Sequence, residues 1–173
     1  MANLDLKALV ESIDPVNAEY ILKDDDVKRE AGWYMSYLRD GREDMARHTK
    51  ERLEEKIREF GQRRLLPSNV KVGDGATICY WSDREAGTIV KVTRKSITIQ
   101  RDKATLSPDF KPEFIPGGFA GTVINQHEQS YTYEPDPSGR KMTFHWSEKY
   151  QSYGQPGNLR AIKGRHEFYD YNF

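Results

Sequence analysis

Over Met1 to Leu66, apolar residues recur every three or four positions, and from Val70 onward they alternate. Leu4, Ala8, Leu9 and Ile13 form a short stripe that predicts a helix ending at Asp14-Pro15, because a residue before proline is driven out of helical conformation. A second helix is predicted from about Asp26, which can cap its exposed amides while Asp24 and Asp25 favour the positive end of the dipole; it carries Trp33, Tyr34, Tyr37 and Leu38 before Gly41. A third runs from about Arg42 to Phe60, with Met45, Thr49, Leu53, Ile57 and Phe60 on one face, and Gly61 and Pro67 close it. These stripes are thin. The helices must therefore pack on each other, on the β part or on a partner.

From Ala76 the period is two. The runs Ala76–Trp81, Gly87–Val92 and Ser96–Arg101 predict three closely spaced antiparallel strands. Lys103 to Gly121, with three prolines and a Gly-Gly pair, predicts a long loop, at about 103–121. Gln129–Glu134 and Lys141–Trp146 predict a hairpin across Asp136-Pro-Ser-Gly139. Gln151–Asn158 predicts a mobile connector and Glu167–Phe173 a last strand. The expected fold is α+β. An N-terminal segment of two to three helices over 1–66 is followed by a small antiparallel SH3-like barrel, or a strongly bent sheet, over 67–173.

Composition sharpens this division. Of the 20 aromatic residues, only Tyr20, Trp33, Tyr34, Tyr37 and Phe60 precede Pro67, as does only one of the eight prolines, Pro15. The chain balances 27 basic against 27 acidic side chains, which excludes a globally basic nucleic-acid binder and a globally acidic mimic while leaving room for local patches. A single cysteine excludes an internal disulfide, and no Cys/His spacing suits zinc. Without a long apolar run or a leader-like start, the expected setting is the cytoplasm, away from membranes.

The runs Val72–Arg84, Gly87–Val90, Arg101–Thr105, Tyr131–Arg140, Thr143–Trp146 and Arg165–Phe173 carry a resemblance. The β half is similar to small accessory proteins of tailed bacteriophages and bacterial mobile elements; Met1 to Leu66 is not covered. The resemblance implies a setting, the cytoplasm of a bacterial host, and no catalytic residue. Accessory phage proteins of this size often inhibit host machinery, including CRISPR effectors and nucleotide-signalling defences.

The residues give little support for catalysis. His48, His127, His145 and His166 are scattered outside metal-binding spacings, and polar positions on a wet sheet face account for them. Cys79 sits in an alternating strand between Ile78 and Tyr80, as a buried structural thiol would. Pro116–Thr122 is rich in glycine but lacks the lysine and hydroxyl residue of a phosphate-binding loop. No cofactor or metal is expected.

Two candidate binding surfaces remain. On the helical segment, Asp24, Asp25 and Asp26 precede Trp33, Tyr34 and Tyr37, an acid cluster beside aromatic anchors suited to a protein partner or to a groove meant for nucleic acid. On the strands, Arg84, Lys91, Arg94, Lys95, Arg101 and Lys103 follow one another with Tyr80 and Trp81 interleaved, as phosphate contact and base stacking require. The expected function is non-enzymatic: a phage-type inhibitor docking on a host protein or ribonucleoprotein complex such as a CRISPR effector. The alternatives are a nucleic-acid-binding barrel and a protein that sequesters a small nucleotide. The Leu53, Ile57, Phe60 stripe could also pair with itself in a homodimer.

Overall fold

A computed structural model describes residues 4–117 and 121–173. The chain divides into two compact units, Met1–Asn69 and Val70–Phe173. The first is helical: α1 (Leu6–Ile13), α2 (Ala18–Ile21), α3 (Asp25–Arg39) and α4 (Glu43–Arg63). Asp5 caps α1 through the amide of Ala8, and Asp24 caps α3 by accepting from the amides of Asp26 and Val27, both at 3.0 Å. Gly41, at φ +69°, lets the chain reverse between α3 and α4. Ion pairs Arg52–Glu30 (3.1 Å) and Arg64–Asp24 (2.9 Å) tie the two helices side by side. Val10, Ile21, Val27, Leu53, Ile57 and Leu66 are fully buried, so the thin stripes meet one another. The stripe considered for self-pairing is thus spent inside the unit.

The second unit is a closed barrel of six antiparallel strands, built from β1 (Gly75–Cys79), β2 (Arg84–Val92), β3 (Ser96–Arg101), β8 (Lys141–Ser147), β9 (Ser152–Gln155) and β10 (Leu159–Lys163). Its core holds Ile78, Ile89, Ile97, Ile99, Phe144 and Tyr153, all fully buried. Closure leaves no free edge along these strands. Two short ribbons sit outside it: β4 (Lys103–Leu106) with β7 (Tyr131–Glu134), and β5 (Phe114–Ile115) with β6 (Thr122–Val123).

Four expectations need correction. The predicted loop at 103–121 begins with β4 and contains β5. The Gln151–Asn158 connector contains β9. The closing strand is β10, while Glu167–Phe173 makes only an isolated bridge, Arg84 to Phe168. Finally, β7 and β8 do not form a hairpin. Along the arm β3–β4 the register runs Ser96↔His145, Gln100↔Lys141, Lys103↔Glu134, Leu106↔Tyr131. Both strands therefore run the same way, opposite one continuous arm. The Asp136–Gly139 turn is an excursion from that line, tied down where the Gln100 side-chain amide donates to the carbonyls of Asp136 (2.9 Å) and Pro137 (2.8 Å). A Cβ at Gly139 would collide with the Arg101 carbonyl, so glycine is required there.

Candidate functional site

The barrel register decides which side chains share its outer surface. With Ile97, Ile99, Met142 and Phe144 directed to the core, the alternate residues Ser96, Thr98, Gln100, Lys141, Thr143 and His145 face outward. Lys91, Thr98 and Thr143 lie in one row across β2, β3 and β8, with the two threonine hydroxyls 3.0 Å apart. Ser96 pairs with His145 and Gln100 with Lys141. At one end, Thr93 closes the β2–β3 turn by accepting from the Ser96 amide at 3.0 Å, leaving Arg94 and Lys95 exposed.

The electrostatics of this strip are one-sided. Strands β3, β8, β9 and β10 contain no Asp or Glu. Lys91, Arg94, Lys95 and Lys141 are exposed, and none has an ion pair among the described residues. The helical unit differs, with most of its cations paired locally, as in Lys23–Glu19 (2.7 Å), Arg47–Asp44 (3.0 Å), Arg58–Glu54 (3.0 Å) and Arg63–Glu59 (2.9 Å). An unpaired surface cation keeps its field and its mobile counterion. A paired one has given up most of both.

Other members of the predicted basic set are engaged elsewhere. Arg101 continues the Ile97, Ile99 side of β3 and is ion-paired to Glu167 and, at 3.7 Å, to Glu85; it also donates to the carbonyls of Ala86 (3.0 Å) and Asp102 (2.7 Å). The Tyr80 hydroxyl meets Glu85 at 2.7 Å and accepts from Arg140. Lys103 faces Glu134 at 3.7 Å. Arg84 is exposed and lies over the Phe168 ring at 5.9 Å. Trp81 is 84% exposed. Sequence reading missed Lys141, Thr143, His145 and Arg160. The alternation in Lys-Met-Thr-Phe-His-Trp already put the first three on one face, but only the non-local pairing of β8 with β3 brings that face beside Lys91.

Burial and charge shift several groups around this network. Burial, reinforced by the Glu85 hydrogen bond and charge, pushes the Tyr80 phenol up to about 12, against the pull of Arg140. Tyr131 is likewise pushed to about 12, chiefly by burial and then by Tyr171 and Glu167. Burial raises Glu167 more than the Ala86 amide and Arg101 lower it. Unfolded phenols ionise near pH 10, so both native tyrosines hold protons that the unfolded chain has lost. Their contribution to stability is intact below pH 10 and falls as pH rises toward 12. In an absorbance titration at 295 nm, Tyr80→Phe should remove one late-ionising phenol and leave that of Tyr131 in place.

On the helical unit the acid cluster is internally occupied. Asp24 caps α3 and pairs with Arg64, Asp25 pairs with Lys28 at 3.3 Å, and Asp26 pairs with Arg29. A groove of about 330 Å³ lined by α3 and α4 has both signs of charge on its walls and Arg64 stacked over Phe60 at 4.4 Å. Trp33 is 45% exposed, with Arg29 over its ring at 5.6 Å. Tyr34 is half-buried, as is Tyr37 under Arg42 at 5.1 Å.

Among the described residues no group of three His, Cys, Asp or Glu could hold a metal ion. Cys79 is buried, and burial pushes its thiol up despite Arg160 and Arg84 alongside. Part of the glycine-rich run Pro116–Thr122 lies outside the described residues. No described helix is long and apolar enough to cross a membrane. Compared with known proteins, the chain matches no family model, no curated protein and no solved structure.

Proposed function

We propose that the barrel unit binds nucleic acid through phosphate contacts along the strip formed by Lys91, Arg94, Lys95 and Lys141, with Thr98, Thr143 and Ser96 as neutral hydrogen-bonding positions between them. The observation that carries this reading is the set of exposed cations, Lys91, Arg94, Lys95 and Lys141, that have no carboxylate partner among the described residues and lie beside β3 and β8, which contain no Asp or Glu. A polyanion supplies the missing negative charge and releases counterions as it binds. The function is binding without chemistry. The setting we propose, from the phage resemblance, is accessory action in a bacterial cytoplasm.

A salt titration with fluorescent oligonucleotides tests it. About four phosphate contacts give a log K against log salt slope of about −3.6 on duplex DNA and about −2.8 on a single strand. Lys91→Ala with Lys141→Ala should flatten that slope by nearly two units. Negligible binding at low salt, or a slope indifferent to both substitutions, rules the reading out. The second reading is docking on a host protein or ribonucleoprotein complex through α3, favoured by the exposed Trp33 ring. It predicts that capture of such a complex survives the two lysine substitutions and fails with Trp33→Ala.

A further inference from the structure

Trp81 is the most exposed tryptophan of the chain. It stands in the turn between β1 and β2, 84% exposed, and among the described residues its indole has no hydrogen bond and its ring no aromatic or cation contact. Folding gains little from a side chain placed this way, and both ring faces are open to solvent.

The surroundings of the turn are cationic. Cys79, the last residue of β1, lies in register with Arg84 on one side and Arg160 on the other, and both arginines are exposed. Tyr80, the neighbour of Trp81, touches Arg140, which precedes Lys141 at the end of the basic strip. Of the nearby carboxylates, Glu85 is neutralised by an ion pair and Asp83 is held by a backbone amide, while Arg84 and Arg160 have no carboxylate partner among the described residues. Asp83 accepts from the Asp170 amide at 2.8 Å, and Glu85 is held by Arg140 at 2.7 Å and by Tyr80 at 2.7 Å. A free indole face next to cations, joined to a strip of further unpaired cations, is the pairing of stacking platform and phosphate track that single strands require.

Resting on the nucleic-acid reading above, we infer that the ligand is single-stranded, with one base stacked on Trp81 while the backbone follows Lys141 and Lys91. A duplex keeps its base faces stacked inside and offers Trp81 nothing. Electrostatics alone points the other way, because duplex DNA carries a charge about every 1.7 Å and attracts a purely cationic surface more strongly. Preference for the single strand is therefore the signature of the tryptophan. Arg84 and Arg160 flank the same turn and supply its positive potential. Tyr80 does not take part, since its hydroxyl is committed to Glu85 and Arg140.

The test compares a 20-nucleotide single strand with the matching 20-base-pair duplex, at one salt concentration, for the full chain and for Trp81→Ala and Trp81→Phe. The single strand should bind more tightly than the duplex. Trp81→Ala should weaken single-strand binding by about tenfold or more, leave duplex binding within about twofold and leave thermal unfolding unchanged. Trp81→Phe, which keeps a stacking face, should recover most of the loss. Duplex preference in the unsubstituted chain, or equal effects of Trp81→Ala on both ligands, overturns the inference while leaving the nucleic-acid reading in place. Binding of neither ligand overturns both and favours a protein partner for this face.

Discussion

Arg165→Ala is expected to destabilise the barrel unit by about 3 kcal/mol or more, and Asp102→Ala by less, about 2 kcal/mol. The asymmetry follows from exposure. The Asp102 side chain is 2% exposed and accepts from Arg165 Nε at 2.7 Å and from the Thr88 hydroxyl at 2.9 Å, while Arg165 also donates to Thr88 at 2.7 Å. Removing Arg165 leaves a carboxylate buried with one neutral donor. Removing Asp102 leaves a guanidinium that is 32% exposed and can turn toward water. The double variant should therefore be more stable than Arg165→Ala alone, because it removes the stranded charge. Urea unfolding followed by Trp146 fluorescence, in a background with Trp33→Phe and Trp81→Phe, reads the barrel transition. Equal losses from the two single changes, or strict additivity, would refute the argument.

Those buried partners explain what could be read from the sequence and what could not. The helices α3 and α4 and the strands β1 to β3 were legible because each carries its own period and its own punctuation: an aspartate run at a helix start, Gly41 at a reversal, Thr93 at a turn; the cap itself is Asp24, two residues before the expected Asp26. Strands β9 and β10 were not. They have only Tyr153 and Ala161 as buried residues, β9 lies in a run rich in Gly, Gln and Ser, β10 is a five-residue Leu-Arg-Ala-Ile-Lys stretch, and they become strands because the barrel closes through them. The Asp136–Gly139 turn was recognised, but its role was not. A local turn looks the same whether it reverses the chain or bulges from a straight path, and the deciding contact is Gln100, distant in sequence.

For the site, Lys91, Arg94 and Lys95 were legible from alternation and a short turn, and Arg101 could have been set aside by the same rule, since it shares a side of β3 with Ile97 and Ile99. The ion pairs that occupy Arg101, and the acids that cancel the helical cations, depend on distance. Asp24, Asp25 and Asp26 look like an exposed acidic patch in sequence. In space Asp24 bridges to Arg64, forty residues away, and the other two pair along their own helix. The charge balance of 27 against 27 conceals this difference between a self-neutralised helical unit and a strip of open cations.

Leu53→Ala is expected to unfold the helical unit and leave the barrel standing. Leu53 and Ile57 are fully buried on α4, and truncating a buried leucine costs about 2–5 kcal/mol through lost transfer energy and the cavity left behind. A unit of about this size rarely has more than about 3–5 kcal/mol to lose. Thinness of the stripe is what makes the change decisive. Arg47→Ala, which removes only an exposed ion pair with Asp44, should stay within about 0.5 kcal/mol. Circular dichroism at 222 nm should report the lost helices, while Trp146 fluorescence should keep its native emission. The same variant separates the two functional readings. If the strip on β2, β3 and β8 binds nucleic acid, oligonucleotide affinity and its salt slope should persist when the helical unit has unfolded. Docking through α3 demands the reverse, because a Trp33 released into a disordered segment no longer presents an ordered anchor. Loss of oligonucleotide binding in Leu53→Ala with an intact barrel signal would move the site to the helices.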